Sequence, residues 1–135
     1  MSARSKARKR ALDVLFEASV QGVPVTTALA ALEARTDGPL NSHTRTIVEG
    51  VEVNQARIDE LLATYSSGWT LERMPTVDLN VLRIGAWEIL WSDVPDVVAI
   101  SEAVELASSL STEESPSFVN GVLAKVAEIK PHLVL

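Results

Sequence analysis

Val77-Asp78-Leu79-Asn80-Val81-Leu82-Arg83-Ile84-Gly85-Ala86-Trp87-Glu88-Ile89-Leu90-Trp91 is the stretch that decides the fold. Wound as a helix, its apolar residues cover most of the circumference, which predicts a central helix packed on several sides. Pro75 or Thr76 starts it, and Asp93-Val94-Pro95 breaks it. It is shorter than the roughly 20 apolar residues that cross a bilayer. Asp78, Asn80, Arg83 and Glu88 also interrupt it, so a membrane-spanning reading fails.

Helical spacing continues outward in both directions. Upstream, Trp69 to Met74 is a short bridge, and Ser66-Ser67-Gly68 closes a long helix from about Ser42 to Tyr65. Ile47, Val48, Val51, Ile58, Leu61, Leu62 and Tyr65 point that helix inward. Its stripe lapses at Asn54-Gln55, where a bend is expected. Before it, Asp37-Gly38-Pro39 is a breaker. Thr26 or Thr27 is placed to cap a helix carrying Ala28, Leu29, Ala31 and Leu32. Ala11, Val14, Leu15 and Ala18 form one stripe near the start, ended by Gln21-Gly22-Val23-Pro24. Downstream, Val98, Ala103, Leu106 and Leu110 belong to another helix. Ser111 to Ser115 connects it to a last one with Pro116 near its first turn, carrying Phe118, Val119, Val122, Leu123 and Val126, and Pro131 stops it. No sustained period-2 alternation appears. The expected fold is all-α, about seven helices in two small bundles divided near Gly68 and sharing one core. Residues 1–135 read as one domain. Gly85 and Gly121 sit inside helices at a cost of up to about 1 kcal/mol each relative to Ala, for which close helix approach is the expected reason.

Charge is distributed unevenly. Five of the 12 Lys and Arg residues, Arg4, Lys6, Arg8, Lys9 and Arg10, fall in the first ten positions with no acid among them. The remainder carries all 18 acids and only seven bases, a formal charge of −11. An acidic body repels nucleic acid, so a polyanion has to be met at a defined patch. The basic arm is that patch, and it runs straight into the first amphipathic helix. Lys9 and Arg10 can pair with Asp13 at i+4 and i+3, whereas Arg4, Lys6 and Arg8 have no such neighbour in sequence. Asp13 and Glu17 also break what would be the apolar core of a signal peptide.

Site chemistry is sparse. There is no cysteine, so no disulfide, thiolate nucleophile or zinc-thiolate site, which fits a reducing cytoplasm. His43 and His132 lack helical metal-site spacing, and no phosphate-cradling glycine loop or nucleophile elbow occurs. Glu102 with Glu105, and Glu113 with Glu114, read as a solvated helix face and a polar loop rather than acid–base pairs. No cofactor is expected, and an enzyme is not. Trp87 and Trp91, i and i+4 in the most apolar helix, read as core. Trp69, beside Gly68, is open between core and base stacking.

Three blocks in the C-terminal half resemble the bacterial NusB family of transcription antitermination factors. They are Val81 to Leu90, then Asp93-Val94-Pro95 with Val98-Ala99-Ile100-Ser101-Glu102-Ala103-Val104-Glu105-Leu106-Ala107, and Glu113 to Lys125. The basic start followed by Ala11-Leu12-Asp13-Val14-Leu15-Phe16 is also similar to the family's first helix. The segment from about Gly22 to Arg45 is generic. The resemblance implies a non-enzymatic role in two helical bundles. It implies binding to the boxA element of ribosomal RNA transcripts together with NusE, a small-subunit ribosomal protein, within an RNA polymerase antitermination complex, and a homodimer in some members. It places RNA-facing positions at Arg4, Lys6, Arg8, Lys9 and Arg10, with Phe16 close to the same face. It places partner-facing positions at Glu113, Glu114 and Phe118, with Glu72 at the border and Leu110 where an aromatic can occur. Asp96-Val97 replaces the family's frequent Tyr-Lys, Glu114 replaces Asp, and Ser5 stands where a base is common. These departures point to weaker RNA binding by the protein alone. The alternatives are a helical dimerisation module, or the front domain of an rRNA cytosine methyltransferase. The latter would need a methyl-donor domain, and no βαβ pattern occurs in residues 1–135.

Overall fold

A computed structural model describes residues 2–36, 38 and 40–135. It contains six α-helices: α1 (Ala3–Gln21), α2 (Val25–Arg35), α3 (Ser42–Tyr65), α4 (Thr76–Trp91), α5 (Asp96–Leu110) and α6 (Ser115–Ile129). Two single-turn 3₁₀ segments, Leu71–Arg73 and Lys130–His132, complete the order, and no strand occurs among the described residues. The helix count is thus six with two short turns, against an expectation of about seven.

The central stretch becomes α4, as its all-round apolar character requires. It packs against α1 and α3 on one side and α5 and α6 on the other. Val81, Leu82, Ala86 and Ile89 are fully buried. The first bundle is α1 to α3 and the second α4 to α6, and one buried apolar cluster runs through both. Trp87 is buried, and its indole lies where Gly50 of α3 has no side chain; a Cβ there would sit 2.2 Å from the ring.

Several local expectations change. The arm does not precede a helix but is its first turns: α1 begins at Ala3, capped by the Ser2 hydroxyl, which accepts from the Ser5 N–H at 3.0 Å. Pro24, not Thr26 or Thr27, stands at the start of α2, because proline's fixed φ supplies the turn geometry without a side-chain cap. α3 is unbroken through Asn54 and Gln55; the Asn54 amide donates to the Gly50 carbonyl at 2.9 Å and serves the backbone it was expected to interrupt. Asp37 and Pro39 of the expected breaker lie outside the described residues, between α2 and α3. The two helix glycines part company. A Cβ on Gly85 would meet Leu123 at 2.5 Å and Ala103 at 3.4 Å, so there α4 does lie close against α5 and α6. A Cβ on Gly121 would meet nothing within 4 Å, so Gly121 faces solvent and is not a packing site.

Candidate nucleic-acid and protein interfaces

The five N-terminal cations do not form one set. Arg4, Lys6 and Arg10 are exposed and make no ion pair among the described residues. Lys6 and Arg10 are i, i+4 and share the outer face of α1. Lys9 is half-exposed and donates to Asp13 at 2.7 Å, the local pairing that its spacing allows. Phe16 lies two turns beyond Lys9 on the same side of the helix, 38% exposed. An exposed face of α1 therefore combines cations with one aromatic, the composition that suits a single-stranded polyanion.

Arg8 is different, and the expectation that it faces RNA does not hold. Its side chain is 3% exposed. The Nε and one Nη donate to the two oxygens of Glu88 at 2.7 and 2.9 Å, a bidentate pair between α1 and α4. The other Nη lies 3.4 Å from a Glu102 oxygen of α5, and that same oxygen accepts from the Ser5 hydroxyl at 2.7 Å. Burial works against the Arg8 charge, but Glu88 and Glu102 outweigh it and hold the guanidinium more basic than usual. The physical reason is helical geometry: Arg8 sits one position from Ala7 and three from Ala11, both buried, so its stem enters the core and its head must find a carboxylate there. Glu102 is correspondingly not a solvated acid. Asp96, expected as an added acid near the RNA path, pairs with Lys130 at 3.2 Å.

The second candidate surface is a cleft of about 370 Å³ on the second bundle. Phe118, half-buried, packs against Trp69, itself 51% exposed, with ring centroids 6.1 Å apart and planes tilted by 58°. Met74 and Pro75 line its floor, and Arg73 and Glu114 also border it. Beneath it, the buried Asp78 carboxylate accepts from the Ser111 and Ser115 hydroxyls at 2.5 and 2.9 Å, which ties the α5–α6 connection to the first turn of α4. Glu113 and Glu72 are exposed but do not line this cleft. Leu110, 41% exposed, goes elsewhere: it lines a groove with Ser5, Lys9, Glu105 and Ser109, beside the basic helix rather than with Phe118. The reason is its place at the last residue of α5, one turn beyond Leu106, which lines the same groove. Trp69, Arg73 and Met74 carry little sequence signal for a site, because only Trp69 stands out and the ring it packs against lies 49 positions on.

The NusB family model matches residues 5–128. A transcription antitermination protein NusB of a Nocardioides species is 59% identical over 134 residues, covering 98% of this chain and 99% of the relative. The NusB of Kineococcus radiotolerans is 58% identical over 134 residues, covering 98% of each. Among solved structures, T. maritima NusB superposes with a TM-score of 0.83 at 30% identity, over 98% of this chain and 99% of that one. A structure of antitermination factors NusB and NusE in complex with dsRNA shares the fold, with a TM-score of 0.81 at 21% identity over 93% and 96% of the two chains. On this full-length agreement of sequence and architecture, the chain belongs to the NusB family.

Proposed function

We propose that this protein acts in transcription antitermination as a non-enzymatic, cytoplasmic RNA-binding factor, a single domain over residues 1–135. Its exposed α1 cations grip boxA-type single-stranded RNA, and its Trp69–Phe118 cleft receives the basic ribosomal protein NusE. The observation that carries the first half is the concentration of unpaired cations on α1 of an otherwise acidic molecule. Cations fixed on a helix displace counterions from phosphates and position the strand. Sequence choice then comes from base edges and stacking, shared with the partner. That a relative of the same fold has been seen with NusE and dsRNA supports both partners. An aromatic pair beside Glu114, with Glu113 and Glu72 nearby on the surface, suits a basic protein: charge at the rim steers association and the rings slow dissociation.

Salt dependence tests this reading. Three exposed cations meeting phosphates give a slope of log affinity against log salt near −2, at about −0.7 per contact for single strands. The triple substitution of Arg4, Lys6 and Arg10 by Ala should bring it close to zero, with the helical circular dichroism spectrum retained. Parental affinity and slope in that variant would remove α1 from the RNA site. Substitution is the right experiment because deleting the arm would strip Arg8 from Glu88 and leave a buried carboxylate unpaired, at about 3–5 kcal/mol.

A further inference from the structure

The start of α1 alternates between two duties. Arg4, Lys6 and Arg10 point their charges outward, while Ser5, Ala7 and Arg8 between them are each tied to a different element of the body. Ser5 donates to Glu102 of α5 at 2.7 Å. The Ala7 carbonyl accepts from the Thr44 hydroxyl of α3 at 3.1 Å, and Thr44 is fully buried. Arg8 forms its bidentate pair with Glu88 of α4. Three polar anchors on three helices thus converge within four residues of α1.

Packing alone does not call for this. Ala7, Ala11 and Leu12 already bury an apolar face. A buried ion pair is a weak contributor to stability compared with well-packed apolar side chains of the same volume. What a planar fork adds is direction: two parallel hydrogen bonds fix the rotation of the arginine, and with it the rotation and height of its helix. An alanine face permits a helix to slide and roll, because small side chains interlock poorly. Adding fixed ties on three sides removes both freedoms at the turns that carry the cations.

We propose that Arg8 is a positioning residue of the RNA site. With Glu88 and Glu102 it forms a carboxylate–guanidinium clamp that sets the register of α1, so that Lys6 and Arg10 on its outer face meet phosphates of a single strand. The clamp rests on the RNA-binding reading above and adds to it a role for two acids that charge alone would set against RNA.

That opposition supplies the test. Glu88→Gln and Glu102→Gln each remove a negative charge from an acidic protein while keeping side-chain shape, so by simple electrostatics each would tighten RNA binding. The clamp predicts the reverse. Titration of the full chain with a labelled single-stranded RNA carrying boxA should show roughly ten-fold weakening for Glu88→Gln, within the range of coupling between residues of one network. Glu102→Gln, which breaks only the rim of the clamp, should weaken it about three-fold. Amide exchange should quicken over residues 3–10 and stay at the parental rate in α4; a merely structural loss would quicken both. Unchanged or tighter RNA binding in a folded variant overturns the proposal. If Glu88→Gln does not fold, Glu102→Gln decides alone by the same sign. Lys6→Ala with Arg10→Ala runs in parallel. No loss of RNA affinity there sinks the RNA-binding reading itself. A loss there without one in the two Gln variants sinks only the clamp.

Discussion

Gly121 stands within α6 with open space where a side chain would be. It therefore costs helix stability and returns nothing in packing, unlike Gly85, against which Leu123 closes. Gly121→Ala should raise unfolding free energy by about 0.5–1 kcal/mol, the helix-propensity difference. The check is the midpoint and slope of urea denaturation. A destabilised Gly121→Ala would mean that α6 has a neighbour on that face. Both glycines were visible in sequence as helix-interior residues. Which of them meets a neighbouring helix was not, because spacing specifies a face of one helix and not what lies across from it.

At the scale of elements, the α5–α6 connection and the bridge before α4 build the partner cleft jointly. Phe118 lines it and is only partly buried, so truncation should be felt more in binding than in folding. Phe118→Ala is expected to weaken NusE binding by about 2 kcal/mol, a hot-spot magnitude, and to cost less than the roughly 3–5 kcal/mol of a fully buried phenylalanine. Partner titration beside chemical denaturation measures the two separately. A strongly destabilised variant with normal partner affinity would make Phe118 a core residue. The helices themselves were legible: α4 from its all-round apolar surface, α6 from Pro116 and its stripe. The pairing of Trp69 with Phe118 was not, because aromatic contacts across a tertiary interface leave no periodic trace. Arg8 misled for a related reason. The i+3 and i+4 rule finds only local partners, and its carboxylate lies 80 positions on.

For the whole molecule, His43 at the head of α3 links stability to acidity. Burial of the ring, and after it the nearby Arg4 cation, hold His43 below the ordinary histidine value; Arg8 adds to this, while Glu88 and Asp93 oppose it. Its Nε2 is buried and has no hydrogen-bond partner among the described residues. The folded protein thus takes up a proton at this site less readily than the unfolded chain, whose histidines titrate near pH 6.5. The unfolded state is the first to gain the proton as pH falls, so His43's share of stability is present above about pH 6.5 and is lost on acidification through it. His43→Gln should flatten the decline of the urea midpoint between about pH 7.5 and 5.5 relative to the parent. A decline of undiminished steepness would place the acid-sensitive group elsewhere.

The distance in sequence between Arg8 and Glu88 also has a meaning during synthesis. The basic segment is made before its buried carboxylate, which follows 80 residues later. At about 5–20 residues per second, that interval is roughly 4–16 s. Throughout it the guanidinium of Arg8 is one more loose cation on a nascent peptide emerging from a particle made largely of RNA. The fold withdraws that charge only when α4 arrives, so this segment carries five free bases on the nascent chain, and the finished protein presents fewer.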